Sequence, residues 1–153
     1  DMPADRLRTL VDTNFTGLYL TAREGAKRMI AAGSRENERG RIILIGSMTA
    51  HMGYRGDAAY SALKAGLEHL GRQFAHEWIR LGINVNTLHP GIMRTELNAD
   101  WFASDKGDAQ IAGLPRRRLV DLSALDDIML FFASEASRQV TGTAITIDDG
   151  QSL

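Results

Sequence analysis

Cysteine is absent from the 153 residues of this chain, and proline occurs only three times. Without thiols the chain can form no disulfide, no cysteine-ligated zinc or iron–sulfur site and no thiolate nucleophile. An excess of either charge is also missing, because 18 Lys and Arg balance 19 Asp and Glu to a net charge of -1. Nucleic acid and anionic lipid surfaces are therefore not expected partners.

Long hydrophobic runs are missing as well. The longest purely aliphatic run covers residues 42–45, far short of the roughly 20 residues that cross a bilayer. The first residues are polar, unlike the basic and then apolar start of a secretion signal. We therefore expect no membrane partner and a cytoplasmic protein. A composition that is 44% hydrophobic and 24% charged is typical of one globular domain.

Helical and strand patterns alternate along the chain. Helical periodicity covers three segments, at residues 3–32, 58–81 and 123–133. Short apolar or alternating runs predict three strands, at residues 41–45, 83–88 and 144–147. Two segments lack a period and are expected to be loops, residues 47–57 and residues 92–120, the second a mobile excursion over a site. This alternation predicts an α/β fold with a doubly wound, Rossmann-like parallel sheet.

Tyr60 and Lys64 form the pair most suggestive of chemistry. They lie four residues apart at the start of a predicted helix, a spacing that places both side chains on one face. An unperturbed tyrosine titrates near pH 10, and a neighbouring ammonium stabilises the phenolate and moves its pKa towards neutrality. The alternative is a tyrosine packed on the sheet beside an exposed lysine.

Two further polar residues lie where they could join this pair. Ser47 follows the first predicted strand, so its hydroxyl would lie at the carboxyl edge of the sheet and could donate a hydrogen bond to a substrate oxygen. Asn14 interrupts the apolar face of the first helix, where an amide would bend the helix or hold a water in its opened backbone. An ordinary strand-ending serine and an exposed asparagine are the alternatives.

Together, Asn14, Ser47, Tyr60 and Lys64 resemble the catalytic set of the classical short-chain dehydrogenase/reductases. The resemblance covers essentially the whole chain in order. Its other motifs are residues 58–66, residues 84–86, residues 90–95 and the stretch from residue 133 through residue 142 to Asp148.

The resemblance implies hydride transfer between NAD or NADP and a carbonyl or secondary alcohol. Tyr60 would be the general acid or base, and Lys64 would hold the nicotinamide ribose and lower the Tyr60 pKa. Ser47 would orient the substrate oxygen, while Asn14 would anchor a water that relays protons through Lys64. The cofactor-binding residues implied are Tyr60, Lys64, Pro90, Gly91, Ile92 and Thr95.

Substrate-pocket residues are expected in the loop after Ser47 and in the excursion. The candidates are His51, Tyr54, Met93, Leu97 and Trp101. For each of them plain packing is the alternative. The partner implied is a small carbonyl or alcohol, and the two long helices imply a homodimer or homotetramer.

The chain departs from the family pattern in two respects. The glycine-rich pyrophosphate turn and the acidic residue that contacts adenosine normally precede the matched region. We therefore expect residues 1–153 to be the carboxyl-terminal, catalytic and substrate-binding part of a single Rossmann-like domain, with the amino-terminal dinucleotide-binding half absent from this sequence. By themselves these residues are not expected to bind a dinucleotide well, so the activity is expected of the parent protein. The second departure is Asp149, which stands where the family usually has glycine.

Other polar clusters predict less. No metal site is expected, because His69 and His76 lie seven residues apart and no further ligand completes a set nearby. The basic run of residues 116–118 is expected to be a solvated face that pairs with Asp121 or Asp126, and contact with an anionic substrate or a cofactor phosphate is the alternative. Two alternative functions remain, an epimerase or dehydratase of the extended type with the same Tyr and Lys, and a catalytically inactive chain of this fold.

Overall fold

A parallel sheet organises the molecule. The computed structural model describes residues 2–153, and within them the strands follow one another in the order β1-β2-β3, all parallel. The strands are β1 (Gly40–Ile45), β2 (Ile83–Pro90) and β3 (Ala144–Ile147). In the register of β1 and β2, Ile42 lies opposite Val85. The predicted α/β fold with a parallel sheet is confirmed.

Helices precede and connect the strands. They are α1 (Ala4–Val11), α2 (Gly17–Ala31), α3 (Ser34–Asn37), α4 (Ala58–Trp78), α5 (Asp105–Ala112) and α6 (Asp126–Ala133). The predicted first helix is present, but a π-helical turn at Asp12–Thr16 separates α1 from α2. Among residues 2–153, no helix is both long enough and apolar enough to cross a bilayer.

The main core lies where α2 and α4 pack on β1 and β2. Leu67 of α4 and Ile83 of β2 are completely buried. The Phe74 ring stacks on Trp78 with centroids 4.1 Å apart, and Tyr19 of α2 contacts the same ring at 5.3 Å. This aromatic group is core packing, so it anchors the helix that carries Tyr60 and Lys64.

Strand β1 is less buried than its apolar sequence predicts. Leu44 is buried, but Ile45 keeps 39% of its surface exposed. The reason is topological, because within the described residues β1 has a strand neighbour on one side only. One edge of β1 therefore lacks the neighbouring strand that a central strand has on both sides.

The prediction of an irregular segment at residues 92–120 is wrong in part, since α5 lies within it. Ser104 caps the N-terminus of α5, because its hydroxyl accepts a hydrogen bond from the Gly107 amide at 3.3 Å. The indole of Trp101 donates to Gln110 Oε1 at 2.7 Å and ties the helix to the turn before it. These polar contacts stabilise a helix whose sequence has little apolar periodicity.

The basic run near residue 117 pairs differently from the prediction. Arg118 donates to the Asp149 carboxylate at 2.7 Å, and Arg116 lies 3.3 Å from its other oxygen. Hydrogen bonding to Arg118 lowers the Asp149 pKa. Asp149 has a φ of 53°, so it adopts the left-handed conformation that glycine takes most easily. The acid opposite the run is distant in sequence, and neither Asp121 nor Asp126 takes that place.

Candidate active site

Ser47 lies directly beyond the carboxyl end of β1, as predicted. Its hydroxyl is buried and accepts hydrogen bonds from the Thr49 amide at 3.3 Å and the Thr49 hydroxyl at 3.1 Å. Nδ1 of His89 lies 2.8 Å from the Ser47 carbonyl oxygen and 3.1 Å from the Ser47 amide nitrogen. Gly46 makes this approach possible, because a Cβ on that residue would lie 2.3 Å from His89 Nδ1. The strand end therefore holds the Ser47 backbone against a buried imidazole.

Tyr60 and Lys64 lie on the first turns of α4, beside the same strand end. Lys64 is buried, and its Nζ donates to the Ile45 carbonyl at 3.1 Å. The same nitrogen lies 5.3 Å from the centre of the Tyr60 ring. The predicted juxtaposition of phenol and ammonium on one helix face is confirmed.

The pKa of Tyr60 shifts in the direction opposite to the prediction. Burial of the phenol raises its pKa, the Asp57 charge raises it further, and a hydrogen bond with Ser47 acts in the lowering direction. Burial also lowers the pKa of Lys64. Because the Lys64 ammonium is directed at the Ile45 carbonyl, desolvation dominates at Tyr60, and the phenol is protonated at neutral pH.

Asn14 lies in the π-helical turn, where the backbone is opened as predicted. The Gly17 amide donates to the Asp12 carbonyl, five residues back. The side-chain amide of Asn14 donates to the Leu10 carbonyl at 3.2 Å, an oxygen that a regular α-helix pairs with the main-chain amide of residue 14. The widened turn thus presents Asn14 towards the pocket side of the helix.

Two cavities meet at Asn14. One of about 470 Å³ is lined by Asn14, Asp57 and Tyr60 together with residues of α1. A groove of about 640 Å³ runs along β1 and is lined by Asn14 and Lys64. Asn14, Tyr60 and Lys64 therefore border a space large enough for a small ligand, whereas Ser47 lines neither cavity.

The segment from Pro90 to Thr95 leaves the carboxyl end of β2 as predicted, but its amides are engaged. The Ile92 amide donates to Gln151 Oε1 at 2.6 Å. The Thr95 amide donates to Asn98 Oδ1 at 2.7 Å. Gln151 was not a sequence candidate, because its position near the last residue gives no local sign of this contact.

Of the predicted substrate-pocket residues, Tyr54 and Trp101 are linked to each other by hydrogen bonds. Gln110 bridges Tyr54 and Trp101, since its amide donates to the Tyr54 hydroxyl at 2.8 Å while its oxygen accepts from the Trp101 indole. The loop that follows Ser47, which contains Tyr54, is therefore connected to Trp101 and to α5. Met93 is buried, whereas Leu97 is fully exposed at 100%, so neither joins this group.

His51 has different neighbours, which sequence reasoning missed. Its Nε2 lies 3.3 Å from Glu68 Oε2, and His89 Nε2 lies 3.2 Å from the same oxygen. The residues come from the loop after β1, from α4 and from the end of β2. The shared signal is that both histidines lie at the carboxyl ends of neighbouring strands.

Comparison with known proteins gives consistent relatives. A family model described as enoyl-(acyl carrier protein) reductase matches residues 1–152. A 3-oxoacyl-(acyl carrier protein) reductase of Vibrio harveyi is 28% identical over 97% of this chain and 59% of its own length. A trans-4-hydroxycyclohexanecarboxylate dehydrogenase of Sinomonas cyclohexanicum is 32% identical over 99% of this chain and 54% of its own length.

Solved structures match equally far. A gluconate 5-dehydrogenase from Burkholderia cenocepacia, in complex with NADP and tartrate, superposes with a TM-score of 0.87 at 28% identity, covering 98% of this chain and 57% of that one. A 4-hydroxyisoleucine dehydrogenase complexed with NADH gives a TM-score of 0.85 at 28% identity, covering 97% and 60%. The chain thus spans little more than half the length of its relatives. The parallel sheet, the paired Tyr60 and Lys64 and the nearly full-length family match agree, and the chain belongs to the short-chain dehydrogenase/reductase family.

Proposed function

We propose that the protein is an NAD(P)-dependent oxidoreductase that interconverts a carbonyl and a secondary alcohol. The observation that carries this proposal is the buried Lys64 ammonium beside the Tyr60 ring, at the strand end that also positions Ser47. A buried lysine with a single carbonyl partner is costly unless it serves a further ligand. The relatives, which are dehydrogenases and reductases, support the same activity.

Each catalytic residue has a role that its surroundings support. Tyr60 is protonated at neutral pH because burial raises its pKa, so it can donate a proton to a carbonyl oxygen. Ser47 supplies a hydroxyl that can donate to the same oxygen. Asn14 borders both cavities and holds the position from which a water would connect Lys64 with solvent.

The residues at the nicotinamide end fit a dinucleotide in part. NAD or NADP, when bound, supplies or accepts the hydride. Lys64 has ammonium donors left for ribose hydroxyls, and Pro90 and Gly91 lie at the carboxyl end of β2. The Ile92 amide already donates to Gln151, so a contact between Ile92 and a cofactor amide requires Gln151 to release it. Thr95 is exposed, but its side chain takes part in a capping box with Asn98, so a contact with the cofactor requires that box to open.

The remaining aspects of the proposal concern partners and location. Residues 1–153 act as the catalytic and substrate-binding part of one Rossmann-like domain, on a small carbonyl or alcohol substrate. A homodimer or homotetramer is supported by apolar side chains exposed on helices, such as Leu20 of α2 and Leu130 of α6. A cytoplasmic location follows the sequence expectation.

The proposal is tested with a purified protein that contains residues 1–153 together with a dinucleotide-binding half, by measuring oxidation of NADH and NADPH with a panel of cyclic, aliphatic and 3-oxoacyl carbonyl substrates. We expect turnover with one coenzyme. Lys64→Met is expected to weaken coenzyme binding by roughly tenfold or more, the cost of a lost charge-assisted hydrogen bond. Lys27→Met is the matched control, because Lys27 is an exposed lysine paired with Glu24. Absence of turnover across the panel, or equal coenzyme affinity in both variants, would contradict the proposal.

The pH dependence of the reaction should follow Tyr60. Carbonyl reduction uses the protonated phenol, so its rate should be flat at neutral pH and fall as Tyr60 ionises, whereas alcohol oxidation should rise over the same range. Asp57→Asn should move both profiles to lower pH, because the Asp57 charge raises the Tyr60 pKa, while Lys64 is the facing cation. The measurement is kcat/KM against pH in both directions. Asp126→Asn on α6 is the control, and profiles that do not move in Asp57→Asn would contradict this role.

A further inference from the structure

His51, Glu68 and His89 form a compact group beneath the catalytic serine. Each residue offers one metal-binding atom, and these three atoms all lie within 4.8 Å of one another. Glu68 Oε2 is the common point, at 3.3 Å from His51 Nε2 and 3.2 Å from His89 Nε2. The two imidazole rings meet edge to face, with centroids 4.6 Å apart.

His89 provides an observation that its neighbours alone do not explain. Its side chain is 0% exposed, and its Nε2 is buried without an assigned hydrogen-bond partner, 3.2 Å from Glu68 Oε2. A buried polar nitrogen left unpaired is unfavourable. Two imidazole nitrogens and the carboxylate oxygen on which they converge have, in contrast, the arrangement expected of three ligands of one metal ion.

The other ring nitrogen of His89 is already held. Nδ1 lies 2.8 Å from the Ser47 carbonyl, closer than the 3.1 Å to the Ser47 amide nitrogen. In the tautomer that donates its Nδ1 proton to that carbonyl, Nε2 has its lone pair free. A histidine whose second nitrogen donates to a carbonyl is the usual arrangement of a metal ligand.

The Glu68 carboxylate is also oriented by a hydrogen bond to its other oxygen. Its Oε1 accepts a hydrogen bond from Arg72 Nη2 at 2.5 Å, which orients the carboxylate and leaves Oε2 directed at the two histidines. Within residues 2–153 no other group of three such side chains comes together in this manner. The side chain of His51 is 41% exposed, so an ion can reach the group from solvent.

We propose that His51, Glu68 and His89 bind a divalent transition-metal ion of the zinc type through His51 Nε2, Glu68 Oε2 and His89 Nε2. Tetrahedral zinc with bonds of about 2.0–2.1 Å separates its ligand atoms by about 3.3–3.4 Å, close to the two distances observed at Glu68. Two histidines and one glutamate are a donor set that holds zinc with a fourth position open.

The ion would join three elements that are otherwise linked only by packing. His51 belongs to the loop after β1, Glu68 to α4 and His89 to β2. Binding therefore holds the loop that carries Tyr54 against the sheet. It requires no turnover, so the site stands independently of the proposed oxidoreductase activity.

Cobalt(II) is the probe, because its absorption in the visible range reports the geometry of the site directly. Metal-free protein, prepared with a chelator that is then removed, is titrated with CoCl₂. We expect an intense tetrahedral or five-coordinate d–d band that saturates at one ion per chain and is abolished by stoichiometric Zn²⁺. His51→Ala and Glu68→Gln should each weaken Co²⁺ binding by at least about 100-fold, since each removes one of three ligands.

His76→Ala is the matched control, because His76 is another exposed histidine of α4 outside the group, and it should keep the band. His51→Ala changes an exposed loop position, so circular dichroism should confirm that the variant is folded. A wild-type protein without the band, or a band that persists unchanged in folded His51→Ala, would overturn the proposal.

Discussion

Tyr60→Phe is expected to lower kcat for carbonyl reduction by about 10²- to 10⁴-fold, the range that a positioned general acid contributes. The affinity for NADH or NADPH should stay within about twofold, because the substitution keeps the ring beside Lys64 and removes only the hydroxyl. Steady-state kinetics and a coenzyme titration on the same preparation measure both quantities.

Tyr19→Phe is the control for this result. Tyr19 packs against Phe74 and keeps 39% of its surface exposed, so the variant also loses one phenol hydroxyl but not the one beside Lys64. Its kcat should match that of the wild type. If Tyr60→Phe retains full kcat, Tyr60 is not the proton donor, and if wild-type and both variants are equally inactive, the chain is the inactive form considered from the sequence.

Gly82→Ala is expected to lower the free energy of unfolding by more than about 2 kcal/mol, in the range of strained and overpacked positions. Gly82 has a φ of 69° between α4 and β2, and a Cβ there would lie 1.8 Å from the Ser34 carbonyl oxygen. The Gly82 carbonyl also accepts from the Gly40 amide at 3.0 Å at the start of β1. Relief of the clash would therefore disturb the first residues of both strands.

Gly25→Ala is the matched substitution with the opposite sign. Gly25 lies inside α2, and a Cβ there would meet nothing within 4 Å. Alanine at this position should raise the free energy of unfolding by about 0.5–1 kcal/mol, because it restricts the unfolded chain and favours the helix. Urea denaturation of the two variants measures the difference. Similar midpoints would show that the Gly82 turn relaxes without cost.

Local patterns predicted the elements that carry the active site. The apolar run before Ser47 indicated β1, and the spacing of Tyr60 and Lys64 indicated their common face, because both depend on residues close in sequence. The direction of the Tyr60 pKa was not predictable, since it depends on how deeply the phenol is buried and on where the Lys64 ammonium points.

Contacts between distant segments account for the rest. The pairing of Arg118 with Asp149 and that of Ile92 with Gln151 both join residues far apart in the chain. Acids nearer to Arg118 in sequence looked equally suitable. The approach of His51 to Glu68 and His89 likewise requires the parallel sheet to bring two strand ends together before the side chains meet.

The π-helical turn at Asp12–Thr16 also decides how the first helix tolerates changes of length. Such a turn accommodates one residue more than an α-helical turn, so it absorbs that residue without rotating α2. If the same residues formed a regular α-helix throughout, α2 would be rotated about its axis by about 100° relative to α1. Ala22 and Ala26 would then leave the core. Deleting one residue within the turn should therefore preserve the packing of α2 while closing the opened backbone at Asn14, whereas the same deletion elsewhere in α2 should shift its buried face.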